Sequence, residues 1–167
     1  MLHEKRIYIE PIHSLTPKKC ESSQYKGYKV KTKLVIEGSK EYKPMKFNNS
    51  SDVYSAFKKL VESDKERFYS LFLDIKNKVI GVEMVSQGAL DSAPVHPREV
   101  YKSALLASAS RVIFVHGHPS GDPEPSFSDK EITRLLKQAG ELLQVGVLDH
   151  IIIGFNNYYS FADRGEL

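Results

Sequence analysis

The apolar run Arg111-Val112-Ile113-Phe114-Val115 passes straight into His116-Gly117-His118-Pro119-Ser120-Gly121-Asp122-Pro123-Glu124-Pro125-Ser126-Phe127-Ser128-Asp129. A short β-branched and aromatic run of this kind reads as a buried strand. Pro119 prevents its simple continuation, and Gly121, Pro123 and Pro125 carry the chain through a loop. Ser128 and Glu131 have capping-box spacing, which predicts a helix with Ile132, Leu135, Leu136, Ala139 and Leu143 facing inward. Val147 to Ile153 is a second strongly apolar strand, and Gly154-Phe155-Asn156-Asn157 turns it back into Tyr158–Phe161. Strand, loop, helix and strand in this order predict an α/β domain whose central mixed sheet is flanked by helices.

The segments upstream agree. Ser51 is placed to cap a helix on which Val53, Phe57, Leu60 and Val61 form one stripe. Phe68–Ile75 and Val79–Val85 read as strands joined through Lys76-Asn77-Lys78, a hairpin. Gly88 to His96 reads as loop, and Pro97 suits the first position of a helix that runs to the neighbourhood of Ala109. Before Asn48-Asn49-Ser50-Ser51 the character changes. Arg6–Ile9 reads as a short strand, and Lys29, Lys31 and Lys33 alternate with Val30, Thr32 and Leu34 as on an edge strand. The expected division is a basic N-terminal extension with short strands over 1–49 and a main domain over 50–167.

A chain of 167 residues that is 41% hydrophobic can bury one core without staples. Cys20 is the single cysteine, so no internal disulfide forms and a reducing compartment fits. With no CxxC partner and no histidine nearby, a thiol nucleophile is not expected there. No apolar run approaches the ~20 residues needed to cross a bilayer. The start, Met1-Leu2-His3-Glu4-Lys5-Arg6, lacks the apolar stretch of a signal peptide. The expectation is a cytoplasmic protein with no membrane partner. Charge is lopsided: residues 1–50 hold eleven Lys/Arg against five Asp/Glu, and residues 51–167 hold thirteen against sixteen. That asymmetry suits docking to nucleic acid or another acidic partner, and a solvated lysine-rich surface is the competing explanation.

The chemistry concentrates after the strand. Histidines at i and i+2 on extended backbone point to the same side, and Asp129 arrives eleven residues after His118 in the first turn of a helix. The helix dipole favours negative charge there. Two neutral imidazoles and a carboxylate suit zinc, and three protein ligands leave the fourth position open, as in hydrolytic rather than structural sites. A base must still move the proton of the water. Glu83, inside the apolar segment Val79–Val85, is the candidate because an unpaired carboxylate is costly to bury; alternation could equally turn it to solvent. Ser126 could donate to the oxyanion of a scissile carbonyl while Ser128 caps the helix, though Ser126 could itself be the cap. Asp149 and His150 interrupt an apolar strand, and His150 is either a satisfied core residue or a support near the metal.

Read as His-x-His-Pro-x6-Ser-x2-Asp, these residues resemble the JAMM (MPN-type) metalloprotease motif. Ser86-Gln87-Gly88, Val95-His96-Pro97-Arg98-Glu99-Val100, Gly140-Glu141-Leu142-Leu143 and Leu148-Asp149-His150-Ile151-Ile152-Ile153-Gly154 narrow it further, being similar to RadC-family proteins over roughly residues 50–167. The resemblance implies a cytidine-deaminase-like fold, a mixed sheet sandwiched by helices. It implies zinc held by His116, His118 and Asp129, with Glu83 in the place of the catalytic glutamate and Ser126 in that of the serine stabilising the tetrahedral intermediate. The implied reaction is hydrolysis of a peptide or isopeptide bond in a protein or peptide substrate. Longer RadC relatives carry a helix-hairpin-helix module ahead of this domain, and residues 1–50 show no such pattern. Three functional classes are weighed: a zinc metallopeptidase, a DNA-repair or mobile-element accessory protein docking through residues 1–49, and a binding module with structural zinc. The full set of active-site residue types speaks against the last.

Overall fold

The computed structural model describes residues 45–88 and 95–167, together with the backbone of two short strands, β1 (Lys5–Ile9) and β2 (Thr32–Ile36), which pair antiparallel. Cys20 and most of the basic extension lie outside the described residues. The main body runs α1 (Ser50–Phe57), a 3-10 turn (Lys58–Glu62), β3 (Glu66–Leu73), β4 (Val79–Gly88), α2 (Pro97–Leu106), β5 (Arg111–Gly117), α3 (Phe127–Leu143), β6 (Gly146–Ile153) and β7 (Tyr158–Ser160). Its five strands lie in the order β4-β3-β5-β6-β7, with only the β5–β6 pair parallel. The fold is α/β with a mixed sheet covered on both faces. Among the described residues no helix is long and apolar enough to cross a membrane.

Strand alternation decides which helix covers which face. Ile113 and Val115 of β5 join Val53, Phe57, Leu60 and Val61 in the core under α1 and the 3-10 turn. Val112 and Phe114 join Phe68, Val100, Tyr101 and Leu136 in the core under α2 and α3. The Tyr101 hydroxyl locks these two helices together by donating to the Leu136 carbonyl at 2.7 Å. His116, two residues beyond Phe114, therefore points to the α3 face, whereas Gly117 faces the 3-10 turn. A Cβ on Gly117 would come within 2.8 Å of the Leu60 Cβ, so only glycine admits that approach.

Several boundaries differ from expectation for local reasons. Asn49 caps α1 by accepting from the Asp52 amide at 2.9 Å, so the helix starts before Ser51. The hairpin closes on Asp74, whose Oδ1 accepts from the amides of Lys76 and Lys78 at 2.8 and 2.9 Å. Strand β3 begins at Glu66 rather than Phe68, and β4 continues past Val85 to Gly88. Helix α3 is capped by Ser126 and Asp129 rather than by Ser128 and Glu131. Its buried stripe is Asp129, Thr133, Leu136 and Gly140, so Leu135 and Leu143 stay 42% and 39% exposed. The inward face is turned because Asp129, Thr133 and Gly140 flank Leu136 on the side that meets the sheet.

Candidate metal centre

The carboxyl end of β5 and the amino end of α3 meet at the edge of the sheet where the chain leaves β5, the position at which open α/β sheets receive ligands. His116 Nδ1 lies 3.0 Å from Asp129 Oδ1, and His118 Nε2 lies 3.6 Å from Asp129 Oδ2. The two imidazoles stand edge-on, with centroids 4.7 Å apart and planes at 89°. The structure thus brings together the three side chains expected to converge. It adds a fourth. Glu66 shares a face with Phe68, which sits opposite His116, and its Oε2 lies 3.4 Å from His116 Nε2. One ligand atom each from Glu66, His116 and His118 fall within 4.8 Å of one another.

Glu66 escaped the sequence argument because Lys65-Glu66-Arg67 is charged throughout and the strand was expected to open at Phe68. Its parity with Phe68 was the available signal, since residues i and i+2 of a strand share a face. Glu83 goes elsewhere. It pairs with Ser70, whose other neighbour is Phe114, one row deeper than His116 and two strands across from β5. Two strand spacings amount to ~10 Å. Its Oε1 accepts from the Ser103 hydroxyl of α2 at 2.9 Å, which ties the carboxylate to that helix.

The loop prepares the ligands. The Asp122 carbonyl, 2.8 Å from His118 Nδ1, can only accept, so Nδ1 carries a hydrogen and Nε2 is the nitrogen turned to Asp129. Ser126 caps α3 by accepting from the Asp129 amide at 3.1 Å. In return its hydroxyl and amide donate to Asp129 Oδ2 at 2.6 and 2.8 Å. The expected division, with Ser128 capping and Ser126 free, is corrected: Ser126 is the cap, and Ser128 is exposed.

Electrostatics reflect this crowding. Burial opposes ionisation of Asp129, yet the His116 and His118 imidazoles beside it and the Ser126 hydroxyl outweigh it and hold the carboxyl well below the usual range. Burial likewise opposes charge on His116, but Asp129 and Glu66 hold its imidazole up at about 9. His116 Nδ1 remains buried without a hydrogen bond of regular geometry, its 3.0 Å approach to Asp129 being off line. A buried nitrogen in that position, among two imidazoles and two carboxylates, fits a divalent cation.

Residues 47–166 match the RadC-like JAB domain. Over 121 residues the chain is 49% identical to a UPF0758 protein of Methanosarcina mazei, an alignment covering 72% of this chain and 53% of that one. A UPF0758 protein of Trichlorobacter lovleyi is 49% identical over 123 residues, covering 73% and 54%. One of Symbiobacterium thermophilum is 53% identical over 102 residues, covering 61% and 44%. The chain spans about half the length of the curated relatives it matches. The matched segment holds every residue of the centre just described, and the chain belongs to the RadC family, with a JAB/MPN-type domain.

Proposed function

We propose that the chain is a zinc-dependent hydrolase of the JAMM/MPN type that cleaves a peptide or isopeptide bond in a protein or peptide substrate. The supporting observation is the convergence of Glu66, His116, His118 and Asp129 where β5 ends. The helix-covered mixed sheet that positions them suits a cytidine-deaminase-like fold. His116, His118 and Asp129 would hold the ion. When bound, zinc supplies Lewis acidity, lowering the pKa of a water towards ~7 and polarising the scissile carbonyl.

Glu66 takes the role first assigned to Glu83. Its side chain is 18% exposed against 12% for His116 and 7% for Asp129, so it sits on the solvent side of the centre. Its carboxylate accepts a proton from the attacking water at Oε2 and returns it to the leaving amine. Ser126 holds Asp129 in the ligand orientation, and its one hydroxyl hydrogen turns to the oxyanion once the charge of Asp129 is directed to the cation.

Elemental analysis of the purified chain should find about one zinc per molecule, as a three-ligand site predicts. His116→Ala, His118→Ala and Asp129→Ala should each lose it, and unchanged stoichiometry would exclude that residue as an essential ligand. On a quenched-fluorescence peptide library, Glu66→Gln should keep zinc and lose turnover by ~100-fold or more, while Glu83→Gln stays within a few fold. The reverse result would return the proton to Glu83.

A further inference from the structure

His150 lies in β6 opposite Phe114, fully buried, and the centre described above makes no direct use of it. Its ring stacks on Phe161 at 5.1 Å and 7°, and stands parallel to His116 at 6.3 Å and 14°. Phe68 and Phe114 meet it edge-on. Amid these rings its one polar side-chain contact among the described residues is 2.6 Å from Nδ1 to the Thr133 hydroxyl. That hydroxyl also lies 2.5 Å from the backbone carbonyl of Asp129. A carbonyl only accepts and a threonine hydroxyl has one hydrogen, so Thr133 donates to Asp129 and accepts from His150 Nδ1–H. Burial keeps the imidazole neutral, in keeping with this tautomer.

We infer that His150 is a positioning residue for the metal centre: through Thr133 it anchors the first turn of α3, and with it Asp129, to the sheet that carries His116 and His118. This rests on the metal reading above. Donors from the end of β5 and from α3 must keep a common register to grip one cation, and the Nδ1–Thr133–Asp129 chain is a buried polar link from α3 to β6, the strand paired with β5. Outer partners of this kind change metal affinity by about 10–100-fold when removed.

Packing and positioning predict opposite orders for two variants. His150→Phe suits the apolar shell and removes the donor; His150→Asn fits the shell poorly but keeps a donor close to the place of Nδ1. Zinc affinity, measured by competition with a chromophoric chelator, should fall at least about tenfold in His150→Phe and only a few fold in His150→Asn. Thr133→Val should behave as the first and Thr133→Ser as the second, which keeps the inference testable if His150→Phe fails to fold. Wild-type affinity in a folded His150→Phe, or in Thr133→Val, would overturn it while leaving the zinc reading intact. A wild-type chain that takes up no zinc would overturn both.

Discussion

Asp129 shows how much one side chain can be asked to do. Its carboxylate reciprocates the Ser126 cap, faces both histidines and sits buried at a helix amino terminus. The same negative charge serves dipole, cap and cation, so the local fold and the site do not compete for it. Ser126→Ala removes the cap acceptor and one donor to Asp129 Oδ2. It should lower unfolding free energy by about 1 kcal/mol and weaken zinc binding as well, read by urea denaturation and chelator competition. Loss of stability with zinc affinity unchanged would confine Ser126 to capping. The histidines and Asp129 were legible because motif spacing alone puts them at a strand end and a helix start. Glu66 was not, because its place depends on the antiparallel register of β3 against β5, a non-local property that no window of sequence contains.

The β5 strand and the loop leaving it are the elements that aim the histidines. Gly117 stands between them because Leu60 closes on the backbone, and Gly121 adopts φ +80° where a Cβ would strike the Phe155 ring. The Phe155 amide then donates to the Gly121 carbonyl at 3.0 Å, and the His118 amide to the Ile153 carbonyl at 3.2 Å, pinning the loop to the end of β6. Gly117→Ala forces the 3-10 turn away from the sheet. It should cost about 1–3 kcal/mol and reduce zinc binding, since His116 and His118 flank the displaced position. Wild-type stability would mean that the 3-10 turn yields freely. Continuous apolar runs found the central strands, which bury both faces, and apolar periodicity found the helices, which bury one; it misplaced the inward face of α3 because Thr133 and Gly140 carry no apolar signal. The position of Glu83 was hidden for a related reason, since its placement beside Ser103 depends on how α2 packs on β4.

At the scale of the molecule, the centre ties β3, β5 and α3 together, so its protonation governs global stability. In the metal-free chain two histidines act in opposite directions. Despite burial, Asp129 and Glu66 raise His116 from 6.5 to about 9. Burial, joined by repulsion from His116, lowers His150 from 6.5 to about 3. Above pH 6.5 the unfolded chain releases a proton that folded His116 keeps until about 9, so stability falls as pH rises through that window. Below pH 6.5 the unfolded chain takes up a proton that folded His150 refuses until about 3, so stability falls as pH drops. Each limb approaches a slope of about 1.4 kcal/mol per pH unit. Urea midpoints of the metal-free chain should therefore peak near pH 6.5, between the two windows. Zinc displaces the His116 proton, so saturating metal should flatten the alkaline limb and raise the whole curve by mass action, by ~2.7 kcal/mol at a hundredfold excess over Kd. His150→Phe should flatten the acid limb above the carboxylate range and leave the alkaline limb in place, which separates the two histidines; below that range the depressed Asp129 carboxyl still costs stability. A metal-free midpoint that keeps climbing through pH 8 would mean that the carboxylates of Asp129 and Glu66 do not hold His116 as a cation.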